Sequence, residues 1–446
     1  QVLRTVTYNN SSDTPTTTAR VLSFAANDAI AAGNTASTTV TINGTNDAPV
    51  NTLPEAQTTA QDTPFEFTFN NGTAITIGDN DAGSNEVEVT VSVDNGTLSL
   101  DMFQAVGSET LINPPSADGQ NAPVIAVNDS GSLVVVWASA DASGQGIFGQ
   151  RVDAEGNPVG SQFQINTETA DSQSSADVAI ADDGSFVVVW ESYGQDKNNT
   201  SGVYGQRFNA DGTAAGNEFR VNTTTTGTQQ YPAIAMNSSG AFVVVWNGNG
   251  SGEDFGVFAQ LYNASGVAQG SEFVINATLT DNQLTPDVAM DNAGNFVASW
   301  QSNNQDGDGT GIYIRKFDSA GTAISAEIAA NSTTVDFQVN SSLALDGAGN
   351  VVVTWASGSY GVWDVFAQRF DANLNPQGVE FQVNTYTTND QEAPSITVND
   401  DGSFFVAWTS TDQDGDSRGV YGQRFDSSGN ALGDEIAVST TTAGNQ

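Results

Sequence analysis

Two short acidic loops carry the densest run of ligand atoms in this 446-residue chain, Asp412-Gln-Asp-Gly-Asp416 and its partial copy Asn304-Gln-Asp-Gly-Asp308. Alternate carboxylates around a glycine turn can converge on one hard cation, as calcium binding requires. The loops nominate Asp306, Asp308, Asp412, Asp414 and Asp416 as calcium ligands. They are not EF-hands, because Gln423 stands at the twelfth position counted from Asp412. The plainer reading of each is a solvated acidic turn.

The remaining inventory narrows the chemistry further. The chain has no cysteine and no histidine. That excludes disulfides, thiolate and imidazole metal sites, and the Ser-His-Asp triad. Oxygen chemistry is what remains. With 52 acidic residues against 11 basic ones, a formal charge of −41, nucleic acid and anionic membrane are poor partners, since phosphate binding needs Lys/Arg patches. No apolar stretch reaches the ~18 residues of a membrane span. Abundant Thr, Ser, Asn and Gly with little Lys suit an exported, cell-surface protein. No signal peptide is visible at Gln1, which fits a removed leader or an internal piece of a longer chain.

The elements that must position these loops come from a repeat. Six apolar runs close on tryptophan: Leu133-Val-Val-Val-Trp137, Phe186-Val-Val-Val-Trp190, Phe242-Val-Val-Val-Trp246, Phe296-Val-Ala-Ser-Trp300, Val351-Val-Val-Thr-Trp355 and Phe404-Phe-Val-Ala-Trp408. Successive tryptophans stand 53, 56, 54, 55 and 53 residues apart. A period of this size signals repeated supersecondary units. A Gln-x-x-Pro signature opens four of the units, at Gln120, Gln229, Gln283 and Gln391, and is followed by an alternating strand. A glycine turn then leads into the Trp strand, whose unbroken apolar run implies burial on both faces. A third strand such as Val203-Tyr-Gly-Gln-Arg-Phe208 and a fourth such as Glu218-Phe-Arg-Val-Asn222 complete the unit. Four short strands per unit, with no helical period, predict a β-propeller blade. Six such blades are expected to close a ring, and Ser108-Glu-Thr-Leu-Ile-Asn113 reads as an extra fourth strand ahead of the first.

The repeat also sorts the remaining candidates. Arg151, Arg207, Lys316, Arg369 and Arg424 share one place in the third strand, with Leu261 the exception. Such a row is expected to pair with acidic groups or with carbonyls of neighbouring blades. The six repeated tryptophans read as core. Tyr360 and Trp363 fall outside the repeat and are the better candidates for ligand contact, as on a glycan-binding face. Asn-x-Ser/Thr sequons include Asn222, Asn237, Asn276 and Asn331.

Residues 1–107 lack the period. Their strand-like segments Val2–Tyr8, Arg20–Phe24, Thr38–Ile42 and Val87–Val93 suggest an immunoglobulin-like sandwich. Arg4-Thr-Val-Thr-Tyr8 with Thr39-Val-Thr-Ile-Asn-Gly-Thr-Asn-Asp-Ala-Pro49 resembles the end of a cadherin-like tandem repeat of large bacterial surface adhesins. Gly78-Asp-Asn-Asp-Ala-Gly83 and Asn95-Gly-Thr-Leu-Ser-Leu100 resemble the start of the next. The resemblance implies calcium at the linker, held by Asn46 and Asp47 with Asp79 and Asp81 as further donors.

The expected fold is therefore all-β: residues 1–50 and 51–107 as the C- and N-terminal halves of cadherin-like domains, and 108–446 as a six-repeat propeller. Neither half buries a full sandwich core, so strand exchange is expected, within one chain as a permuted domain or between chains as a head-to-tail filament, with a fragment of a larger adhesin as the plainer reading. The function expected is that of an extracellular structural or adhesive protein with calcium-stiffened linkers. A lectin-like, carbohydrate-binding propeller is the alternative. No enzyme is expected: glycoside cleavage needs a distinct carboxyl pair, and none stands apart from the repeat on this reading.

Overall fold

The structure is a computed structural model that describes residues 20–27, 32–40, 50–52, 76–78 and, with short interruptions, 109–444. Every regular element among them is a β-strand, and no helix is long and apolar enough to cross a membrane. The chain divides into two units, residues 1–100 and 101–446.

In the first unit, Arg20–Asn27 pairs antiparallel with Ala32–Val40, and Val50–Thr52 with Thr76–Gly78. The hairpin uses two of the strands expected there. Val2–Tyr8 and Val87–Val93 lie outside the described residues, as do the linker candidates Asn46, Asp47, Asp79 and Asp81.

The second unit holds six four-stranded antiparallel sheets, each built from consecutive strands. The third runs Gln229–Met236, Phe242–Gly248, Gly256–Tyr262 and Ala268–Val274. A single parallel bridge, Thr310 to Phe337, joins the fourth sheet to the fifth. The innermost strands are Gln120–Val127, Gln173–Ile180, Gln229–Met236, Gln283–Met290, Phe337–Leu345 and Gln391–Val398. From the first sheet to the sixth they stand side by side, each next to its successor, which is the blade order of a propeller.

Burial explains the sequence pattern. Phe242–Gly248 is buried at every residue, because one face of its sheet packs on the preceding blade and the other on the following one. Phe186, Val188 and Trp190 meet Val134, Val136 and Ile147 of the first blade. Phe242, Val244 and Trp246 meet Val187, Val189 and Val203 of the second. The signature glutamine serves the tryptophan: Trp246 Nε1 donates to Gln229 Oε1, Trp300 to Gln283 and Trp408 to Gln391, each at 3.0 Å. The asparagine that ends each fourth strand accepts a third-strand N–H, from Ile147, Val203, Val257, Ile312 and Val365, at 2.7–2.8 Å. In the fifth blade's outer turn Leu374 takes the left-handed conformation that glycine holds elsewhere, with φ 63°. Its side chain is buried in the cluster beneath, and that burial offsets a strain of about 1 kcal/mol.

The buried clusters join blade one to two, two to three, three to four, four to five, and five to six. Among the described residues none joins six to one. The six blades thus form an arc, and the expected closed ring of six is not seen.

The glutamine–indole pair predicts that Trp300→Phe lowers stability by about 1–3 kcal/mol, from lost volume and an orphaned Gln283 acceptor. A thermal or chemical denaturation midpoint equal to that of the parent protein would refute the pairing as a stabilising contact.

Candidate binding site in the central channel

Each innermost strand breaks register just after its glutamine. Ala122, Ser175, Tyr231, Thr285, Asn340 and Ala393 take φ between 43° and 54° at that break. A bulge with one residue in the left-handed region bends the strand and re-aims its side chains. All six residues follow the signature glutamine by two positions, and five of them line one channel of about 380 Å³, together with Asp177, Pro232, Asp287, Ser341, Ser342 and Ser395.

In the second, third and fourth blades the residue after the tryptophan helps to hold the bulge of the next blade. Asn247 Oδ1 accepts the Thr285 N–H at 3.2 Å, and Gln301 Oε1 accepts that of Asn340 at 3.4 Å. Glu191 accepts the Tyr231 N–H and a Ser201 hydroxyl, while burial raises its pKa. Tyr231 keeps 46 % of its surface exposed at this position. Thr285 Oγ1 and Asn247 Nδ2 are buried with no protein partner, and so are free to bond a ligand or water.

The acidic pair is specific to two blades. Four positions after the signature glutamine stand Val124, Asp177, Ala233, Asp287, Ser342 and Ser395. Asp177 Oδ2 accepts the Ile234 N–H and Oδ1 that of Val178, both at 2.8 Å. Asp287 Oδ2 accepts the Leu343 N–H at 2.9 Å and Oδ1 that of Val288 at 2.8 Å. Each carboxyl therefore bridges its own blade to the next. Desolvation in the channel outweighs these bonds and raises the Asp177 pKa to about 7, with the charge of Asp287 adding to the effect. The same burial raises Asp287 to about 6. Two carboxyl groups that stay partly protonated near neutrality can both donate and accept hydrogen bonds.

The tryptophan period does not single out this pair, because the residues between the glutamine and the turn differ in type from blade to blade. Alignment on the glutamine brings Asp177 and Asp287 out at one place of the repeat.

The acidic loops follow another pattern. Gln305 donates to Glu327 at 2.8 Å and Gln413 to Glu435 at 2.9 Å, tying each loop to its own outer strand. Asp306 and Asp414 each keep one buried oxygen without a partner. Asp308 accepts a backbone N–H from Asp336, and Asp416 one from Gly444; Asp412 accepts from Asn389. Among the described residues no three acidic side chains converge so as to hold a metal ion. Trp363 lies in the third strand of the fifth blade, half-buried, opposite Gly358. Tyr360 lies outside the described residues.

The basic row clamps neighbouring blades, as its position implied. Arg151 donates to the carbonyl of Ala210, Arg207 to those of Ala264 and Ser265, Lys316 to Ala372 and Arg369 to Ser428. The sequon asparagines Asn222, Asn237, Asn276 and Asn331 are buried, with side-chain oxygens engaged by backbone N–H groups, and offer no glycosylation surface.

No family model matches the chain, and no curated protein matches it. Three solved structures illustrate what the chain resembles. A protein of unknown function from Dyadobacter fermentans shares 11 % identity at a TM-score of 0.49, covering 67 % of this chain and 92 % of that one. A Penicillium chrysogenum α-L-arabinanase complexed with arabinobiose shares 13 % at 0.47, covering 66 % and 91 %. A polysaccharide lyase shares 8 % at 0.44, covering 71 % and 82 %. The expectation that the chain is not an enzyme does not stand: an α-L-arabinanase and a polysaccharide lyase are among the structures similar to it, and two acidic side chains, Asp177 and Asp287, share one place of the repeat that the other blades fill with uncharged residues.

The raised carboxyl pKa values set a direction for stability. In the unfolded chain both groups ionise near pH 4, and in the folded protein near 6 and 7. Between those limits the folded state binds more protons, so their contribution falls as pH rises from about 4 to about 7. Replacing Asp177 by the residue of two other blades, Asp177→Ser, should flatten part of that slope. Parallel slopes for the two proteins would show that Asp177 does not titrate in this window.

Proposed function

We propose that the chain is a carbohydrate-binding propeller module that takes a saccharide at the mouth of its central channel. The observation that carries this reading is the grouping at one mouth of an exposed aromatic ring, Tyr231, with the partly protonated pair Asp177 and Asp287. A sugar presents hydroxyl groups that donate and accept, and a C–H face that packs on an aromatic ring. Thr285, Asn340, Ser341 and Ser342 add neutral donors and acceptors to the same lining. An anionic ligand would meet the chain's charge of −41, so a neutral saccharide is the class favoured.

Glycoside cleavage is a second reading, favoured by one feature: two carboxyl groups line the same channel, both with pKa raised by burial. In that reading Asp177 is the general acid and Asp287 the partner carboxylate. Both are anchored by backbone N–H groups, which fixes their positions and leaves further lone pairs on each oxygen for substrate.

The test is binding of a panel of neutral oligosaccharides, with Tyr231→Ala and Asp287→Ser as variants. Binding should weaken about 10-fold or more for each, as expected from the loss of roughly 1.4 kcal/mol of contact. A panel with no binder would refute the proposal, as would a binder indifferent to both changes. Release of reducing sugar by the parent protein and its loss in Asp177→Ser would select the catalytic reading.

A further inference from the structure

The arc of six blades has two end faces whose equivalents elsewhere are covered. Residues five positions after the signature glutamine face the preceding blade. Val178, Ile234, Val288 and Leu343 are 5–6 % exposed there, whereas Ile125 of the first blade is 62 % exposed, as is Val127 beside it. Outer-strand residues that face the following blade behave alike: Val221, Ile275, Ala330 and Val383 are at most 5 % exposed, and Val438 of the sixth blade is 46 % exposed. Val203, Val257, Ile312 and Val365 are wholly buried, while their counterpart Val420 is part-exposed. Apolar side chains left open at both ends of one arc mark an unfilled interface.

The segment Glu109–Asn113 shows what belongs there. At each blade junction an outer-strand glutamate accepts the backbone N–H that follows the preceding blade's outer strand. The pairs are Glu218 with Thr167, Glu272 with Thr223, Glu327 with Ala277, Glu380 with Ser332 and Glu435 with Thr385. Glu109 makes the same contact to Thr441, after the sixth blade, at 3.2 Å, and takes the Thr441 hydroxyl at 2.8 Å. Asn113 donates to Gln120 as Asn166 does to Gln173 and Asn331 to Gln338. Glu109–Asn113 thus makes the contacts that an outer strand makes, in the place of a blade between the sixth and the first.

The first blade carries an independent mark of the same arrangement. Its residue at the glutamate position is Gln162, and the residue after Asn113 is Pro114. Proline has no N–H to donate, so an acceptor carboxylate has nothing to serve there, and this blade has none.

We propose that the open faces of the first and sixth blades are the seat of a three-stranded sheet of the chain's own repeat type. With Glu109–Asn113 as its fourth strand, that sheet makes a seventh blade and closes the ring. Ser439 precedes Gln446 by seven residues, the spacing of Asn384 and Gln391 and of Asn113 and Gln120. Outer and inner strands of one blade drawn from distant parts of the chain lock the ring against opening.

The chain lacks cysteine, so single thiols report cleanly on the seat. Ile125→Cys should react with a maleimide on the order of 100-fold faster than Val178→Cys. Extending the chain past Gln446 with a copy of residues 392–425 should bring the Ile125→Cys rate down to that of Val178→Cys and raise the melting temperature. A second extension copied from 230–262 guards against one ill-suited copy. The proposal is overturned by a protected Ile125→Cys in the unextended chain, which would mean six blades close by themselves. It is equally overturned by protection that grows with protein concentration, which would mean a second copy fills the seat. Unchanged labelling and melting temperature with both extensions would also overturn it.

Discussion

The face-to-face burial of one blade against the next is the contact on which the rest of this molecule depends. A four-stranded sheet of this size buries its apolar residues only when both faces are covered. The Phe-Val-Trp face of each blade supplies large rings, and the Val-rich face of its predecessor supplies the surface that receives them. Phe186 stacks on Phe208 at 4.8 Å between ring centroids and Phe296 on Phe317 at 4.9 Å, so the second and fourth blades each present a stiff aromatic edge to a neighbour. Cations and carboxylates add hydrogen bonds at the rim, but the rings and valines carry the buried area.

That packing dictates where the channel lies and what can line it. Consecutive blades set their inner strands side by side, and a bulge in each turns the residues beyond the glutamine toward the axis. A position on this axis is poorly wetted yet not covered by another blade. Acidic groups placed there lose hydration without gaining cations, which is why Asp177 and Asp287 rise toward neutrality. Their backbone bonds across blades make them rivets as well as ligands. A saccharide site built on inner strands is rigid for the same reason.

Much of the scaffold was legible before any coordinates. The tryptophan period marked the blades, the apolar runs marked strands buried on both faces, and the arginine row marked contacts between blades. The acidic loops were a weaker guide. Asp412, Asp414 and Asp416 alternate along the chain, but their oxygens point to different partners, Asn389, the Asp416 N–H and the Gly444 N–H. The sequons carry no signal of their own: Asn222 and Asn276 satisfy a pattern for surface modification while their side chains serve the third strand from within.

Sequence by itself determined the β character, the four-strand unit and its number of copies, because apolar alternation and turn residues act over a few positions. It also held the position of the channel acids, each nine residues before the first residue of its Trp strand, Phe186 or Phe296, though only as two letters among many. Tertiary structure alone decided that Asp177 and Asp287 share one axis, and that the ends of the arc, at Ile125 and Val438, stay open. The reason is physical: exposure and pKa are properties of what lies across a gap, and groups as distant as Glu109 and Thr441, 332 positions apart, meet only when the arc has folded.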